Sequence, residues 1–170
     1  MLGRSLVALS VLCIAWLIAS ATHADPTRFV PWKDGKTPPL ALNDLAGSPR
    51  TLADYRGKVV IVNFWATWCE PCLAEMPSMQ KLQERFAGRV AVVAVNYGES
   101  AAKASRFLER VSVTFTVLLD PNGEAPRAWR VRLLPASYVV APDGAVRYSV
   151  LGEIDWSGDA AVSTIRELLR

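Results

Sequence analysis

The 170-residue sequence predicts an α/β protein, a mixed central sheet with helices on both faces, and three observations carry that prediction. Apolar, β-branched runs alternate with stretches whose apolar residues recur every three or four positions, the pattern of strands joined through helices. The alternation closes on two short runs divided by a tight turn and then a helix, so the last strands form a hairpin and the sheet is mixed. Hydrophobic residues make up 51% and charged residues 21%, which excludes a disordered or low-complexity chain and suits one core.

The elements follow in order. Leu40 to Leu45, the turn Gly47-Ser48-Pro49 and Thr51 to Leu52 read as a short hairpin. Val59 to Trp65 is a near-continuous apolar run and therefore a buried central strand. Leu73, Met76, Met79, Leu82 and Phe86 make the apolar face of a helix whose other face carries Glu75, Gln80, Lys81 and Glu84, with a kink expected at Pro77. A second buried strand spans Val90 to Asn96, a helix Ser100 to Arg110, and a third strand Thr114 to Leu119. The turn Asp120-Pro121-Asn122-Gly123 leads to a short helix ending near Val131. Pro135 opens the strand Ala136 to Val140, Pro142-Asp143-Gly144 turns into the strand Ala145 to Leu151, and Val162, Ile165, Leu168 and Leu169 mark a terminal helix. No internal repeat is visible.

The first 24 residues have a different character. Arg4 precedes a run from Leu6 to Ala19 broken only by Ser10, and small residues lead up to Ala24, so the segment reads as a secretory signal cut after Ala24 or Ala21. An uncleaved membrane anchor is the competing reading, because Leu6 to Ala21 falls just short of the ~17 to 25 residues of a span. Cys13 follows Leu12 where a lipoprotein signal needs a small residue, and it reads as hydrophobic filler. Asp25 to Pro39 is rich in Pro, Lys, Gly and Thr without period and reads as a mobile tether. The expected organisation is thus a signal or anchor over 1–24, a linker over 25–37 and one domain over 38–170.

A formal charge of +3, from 19 basic and 16 acidic residues, is too balanced for a partner of nucleic acid. Without residues 1–24 the chain keeps 146 residues, two cysteines and no histidine. A Ser/His/Asp triad, a Cys/His pair and a histidine-rich metal site are excluded with it.

The remaining chemistry lies in Trp65-Ala66-Thr67-Trp68-Cys69-Glu70-Pro71-Cys72, where a strand ends and a helix begins. Two cysteines three apart at a helix N-terminus can close a small disulfide, and the free amides and dipole there stabilise the first thiolate. Cys69 is then the nucleophile, and Cys72, one turn further in, the resolving thiol. A zinc site would need two more ligands. A purely structural staple gains little from so short a loop. Phe64, Trp65 and Trp68 could touch substrate or be core, and Met76 and Met79 could add soft ligands for Cu(I) or be core.

These residues resemble the thioredoxin superfamily and, within it, the exported TlpA/ResA/DsbE-like thiol-disulfide oxidoreductases. The likeness rests on Val62-Asn63-Phe64-Trp65-Ala66-Thr67-Trp68-Cys69-Glu70-Pro71-Cys72, Glu75-Met76-Pro77, Pro135-Ala136-Ser137-Tyr138-Val139-Val140, and Gly152 before Trp156, and covers about residues 38–168. It implies a thioredoxin-like three-layer sandwich with an N-terminal hairpin and a central insertion over roughly 97–117, and a cis peptide before Pro135 facing the cysteines. It implies an extracytoplasmic, periplasmic location, no cofactor beyond the Cys69/Cys72 redox disulfide, no metal, and protein disulfides as substrates. Apocytochrome c thiols or the cysteines of a copper-binding oxidase subunit are candidate targets, with a membrane thiol reductase as electron donor.

Asn63 departs from cytoplasmic thioredoxins, which have a buried aspartate there to deprotonate the second thiol. Glu75, three residues after Cys72, is the proposed replacement, and the related exported proteins have an acid at the matching position. Its alternative role is to complement the helix dipole. Glu70 beside Cys69 disfavours the thiolate and so favours a reductant over an oxidant. Trp68, Glu70, Pro71 and Leu134 are the expected substrate-touching residues, with Leu134 and Pro135 lining a groove for an extended segment. Two other functions compete, a Cu(I) carrier using the same cysteines and a thiol peroxidase. The latter lacks a Thr-x-x-Cys arrangement, since Thr67 stands two residues before Cys69.

Overall fold

The structure, a computed structural model, describes residues 29–170. The signal or anchor over 1–24, with Cys13 and His23, and linker residues 25–28 lie outside the described residues.

The described elements are β1 (Val30–Pro31), β2 (Ala41–Asp44), β3 (Pro49–Thr51), β4 (Val59–Trp65), α1 (Glu70–Arg85), β5 (Val90–Tyr97), α2 (Ala101–Leu108), β6 (Thr116–Asp120), α3 (Glu124–Ala128), β7 (Ala136–Val140), β8 (Val146–Leu151) and α4 (Asp159–Leu168). The strands form one sheet in the order β1-β8-β7-β4-β5-β6-β2-β3. β4, β5 and β6 run parallel, while β7 pairs antiparallel with β4 and β8 antiparallel with β7. A mixed sheet with helices on both faces is thus what the chain adopts.

β4 lies in the middle of this sheet, and every residue of it is buried. Side chains alternate across a strand, so its two faces build two cores. Val59, Ile61 and Trp65 pack with α1 residues Met76, Met79 and Leu82 and with Val162 and Ile165 of α4. Val60, Val62 and Phe64 pack on the opposite face with Trp129, just past α3, and with Tyr138. Asn63 is the polar exception on the α1 face, and it marks where the site is built.

Pro77 sits inside α1, which continues through it to Arg85. Two boundaries differ from expectation for identifiable reasons. The strand begins at Thr116 rather than Thr114 because the Thr114 amide donates to Gln80 Oε1 of α1 at 2.9 Å instead of to a neighbouring strand. α3 stops at Ala128 rather than near Val131, since Arg130 takes a left-handed φ of 57° and the Val131 amide closes back on the Pro126 carbonyl at 2.8 Å.

The segment expected to be a loose tether is partly structured. Val30 and Pro31 pair with Ser149 and Tyr148 of β8. The Thr37 hydroxyl donates to the Gly144 carbonyl at 2.9 Å and accepts from the Val146 amide at 3.0 Å. Phe29 packs edge-on against Tyr148 and Trp156, and Trp32 against Tyr138. The proline that suggested looseness suits an edge strand, where one face of the backbone needs no donor.

Candidate active site

β4 delivers the chain to Trp65, and a turn closed by the Cys69 amide on the Ala66 carbonyl at 3.1 Å sets Cys69 at the N-cap of α1. Pro71 follows within the first turn, where a missing amide hydrogen costs nothing. Cys69 and Cys72 are joined, with an S–S distance of 1.98 Å and Cα atoms 5.3 Å apart. Cys69 retains 5% exposure and Cys72 none, so an incoming partner meets Cys69 first. The unpaired amides of the first turn and the positive end of the helix favour negative charge on that sulfur once the bond is opened.

Around the disulfide, Trp68 is 63% exposed, and Glu70 and Pro71 face solvent. The Leu134–Pro135 peptide is cis, and the Pro135 carbonyl accepts from the Gly152 amide at 2.9 Å. Leu134 is half-buried against the cluster that contains both cysteines, and it lines a cavity of about 240 Å³ together with Trp68. Phe64, Trp65, Met76 and Met79 are fully buried. Among the described residues there is no group of three or more potential metal ligands of the His, Cys, Asp and Glu type.

Glu75 lies three residues after Cys72 on the same helix and is buried, 2% exposed. Three donors converge on its carboxylate. Asn63 Nδ2 reaches Oε1 at 2.8 Å, while Trp156 Nε1 and the Ile154 amide reach Oε2 at 3.1 and 3.4 Å. Asn63 also donates to the Ser137 hydroxyl at 2.9 Å, which ties β4, β7 and α1 into one polar cluster. Burial dominates the electrostatics and pushes the Glu75 carboxyl up to about 7, aided by the charge of Glu153 and opposed by the three hydrogen bonds. Asn63 therefore serves as a donor to Glu75.

A second buried carboxylate carries no motif in the sequence. Glu99, just after β5, accepts from the Thr67 amide at 2.8 Å and the Thr67 hydroxyl at 2.7 Å. It also accepts from Asn96 Nδ2 at 2.9 Å and pairs with Lys103 Nζ at 2.7 Å. Burial would raise its carboxyl, but these hydrogen bonds outweigh it and hold the group down near 2. Glu99 thereby anchors the loop two residues before Cys69. The available signal was an Asn and a Glu three apart leaving a buried strand. Trp156 carried only a weak signal, because its bond to Glu75 spans 81 residues of sequence.

A model of the AhpC/TSA family matches residues 34–149. The chain belongs to that thioredoxin-like family. It is 38% identical to the thiol-disulfide oxidoreductase ResA of Geobacillus kaustophilus over 116 residues, 68% of this chain and 67% of that protein. Against ResA of Bacillus subtilis the identity is 34% over 151 residues, 88% of this chain and 83% of its relative. Among solved structures, a chain described as the thiol:disulfide interchange protein DsbE of Chlorobium tepidum superposes with a TM-score of 0.74 at 34% identity, covering 79% of this chain and 96% of that one. With the paired cysteines at the head of α1, this family member is a thiol-disulfide oxidoreductase.

Proposed function

We propose that the protein is an exported reductase of protein disulfides. In the dithiol form the Cys69 thiolate attacks a substrate disulfide, forming a mixed disulfide and expelling one substrate sulfur as a thiolate that takes up a proton. Cys72 loses its proton to Glu75 and attacks the Cys69 sulfur, which re-forms the Cys69–Cys72 bond and releases the second substrate thiol. Two electrons pass from the dithiol to the substrate. Pro135 and Leu134 would hold an extended substrate segment beside Trp68, Glu70 and Pro71.

The observation that carries this reading is Glu75, a carboxylate one helical turn beyond the buried Cys72, held by three donors, with a carboxyl near 7. A group poised near neutral pH can take a proton from the resolving thiol and return it. The full burial of Met76 and Met79 supports a core role for them over copper binding. Glu70 is exposed, so solvent screens its charge and weakens its influence on the Cys69 thiolate. Candidate substrates are apocytochrome c thiols or the cysteines of a copper-binding oxidase subunit in the periplasm or an equivalent space, with a membrane thiol reductase as electron source. No helix among the described residues is long and apolar enough to cross a membrane.

The test is the reduction potential of the pair, measured by equilibration against thiol buffers and trapping. A value at or below about −250 mV supports the reductase, and one above about −180 mV overturns it in favour of an oxidase or isomerase. Trapping with Cys72→Ser then isolates the substrate as a stable mixed disulfide with Cys69.

A further inference from the structure

Two cavities adjoin the two residues that lead into Cys69, one at each. The first, of about 240 Å³, is formed by Trp68, Tyr97, Leu133 and Leu134, with Arg127 and Arg132 on its wall. Leu133 is 49% exposed and Tyr97 38%, so with Trp68 they present an apolar floor to solvent. The second, of about 190 Å³, meets Thr67 and is lined by Lys103, Arg106, Phe107 and Arg110. Lys103 is already neutralised by Glu99, and the Arg110 guanidinium lies 5.2 Å from the centre of the Phe107 ring. No carboxylate lines either cavity, and among the described residues none pairs with Arg106, Arg110, Arg127 or Arg132. A chain of nearly balanced charge thus sets four guanidinium groups without an ion pair among the described residues on the cavities that reach Thr67 and Trp68, and they outnumber the exposed Glu70 carboxylate that follows Cys69.

We propose that this face recognises a protein segment whose acidic side chains flank the reacting cysteine, with an apolar side chain seated among Trp68, Tyr97 and Leu133. The inference rests on the exchange chemistry proposed above and names its substrate class. A positive field bordering the nucleophile steers an anionic segment toward it and repels a cationic one. Each guanidinium can then grip a carboxylate through two parallel hydrogen bonds, which fixes the register of the segment against Cys69. Burying one large apolar side chain on the Trp68 floor supplies affinity that carries no charge preference.

The test uses the reduced protein and three synthetic peptide disulfides of equal length, each with a leucine beside the cysteine and with Asp, Asn or Lys at the flanking positions. Exchange rates are read by stopped flow, with the neutral bis(2-hydroxyethyl) disulfide as a check on the chemistry itself. The Asp peptide is expected to react about tenfold faster than the Lys peptide at low salt, with the ratio shrinking toward one at high salt. In Arg127→Gln/Arg132→Gln and in Arg106→Gln/Arg110→Gln, the Asp-to-Lys ratio should fall relative to the Asn peptide. Equal rates for the three peptides, or a ratio that survives both double substitutions, would overturn the proposal. Self-association of the chain that shields Trp68 from a soluble quencher would do so too, by giving the face to a second copy. If the neutral disulfide is not reduced, the exchange reading fails first and this inference falls with it.

Discussion

Glu75 sits in a conflict between stability and chemistry. Its carboxyl, ordinarily at 4.5, is raised to about 7 chiefly by burial, so the folded chain holds a proton that the unfolded chain releases. The favourable contribution of the neutral form is complete below pH 4.5 and is lost as pH rises to about 7, a swing of roughly 3 kcal/mol. Glu75→Gln keeps the neutral shape and cannot titrate, so melting curves should shift in the variant's favour between pH 4.5 and 8. In the same variant the resolution of a Cys69 mixed disulfide should slow about a hundredfold and lose its rise near pH 7. An unchanged rate would leave Glu75 a structural carboxyl. Glu99 has the opposite sign. Held near 2, it stabilises the fold above pH 4.5, and that contribution fades as pH falls toward 2. Glu99→Gln should cost about 2 kcal/mol in denaturant titrations at pH 7, since it weakens charge-assisted bonds to Thr67 and Lys103, and much less near pH 2. Of these two acids only Glu75 was legible in the sequence, because its spacing from Cys72 is local. Glu99 reaches Thr67 across 32 residues, a separation that periodicity does not report.

At the scale of elements, β4 and α1 were readable nearly to the residue, since an unbroken β-branched run followed by a three-and-four apolar period leaves no competing structure. The ends of β6 and α3 were not, because they are fixed by tertiary bonds from Gln80 and by the left-handed turn at Arg130. The start of α3 offers a sharper case. Gly123 is its N-cap with φ 65°, and a Cβ there would come within 2.5 Å of the Tyr97 ring. Gly123→Ala therefore meets both a disfavoured backbone and a clash with the ring that lines the Trp68 cavity. A loss of about 1 to 2 kcal/mol is expected in denaturant titrations. Tyr97 must also move, so the apolar floor beside Cys69 should change shape, visible as altered quenching of Trp68 fluorescence.

The least legible feature of the whole molecule is how its N-terminal segment reaches the redox centre. Composition marked residues 25–37 as a linker, yet β1 closes the edge of the sheet, and Phe29 beside it stacks edge-on against Trp156, ring centres 5.9 Å apart. Trp156 in turn donates to Glu75 through its indole and is fixed through its own amide by the Ser78 hydroxyl at 3.0 Å. One aromatic contact made far outside the cysteine motif thus packs against the indole that donates to Glu75, the carboxylate three residues after Cys72 on α1. Phe29→Ala should cost about 1 to 2 kcal/mol through the two lost ring contacts, with Tyr148 and Trp156. Its more telling effect is on titration. A less tightly held Trp156 admits water near Glu75, which relieves the desolvation that raises its carboxyl, so the midpoint of the pH profile for mixed-disulfide resolution should move below about 7. Phe29→Leu restores apolar cover without the ring and should bring the midpoint most of the way back. A profile unmoved in Phe29→Ala would mean that Trp156 is held by Ser78 and α1 alone, and that β1 serves the fold without reaching the site.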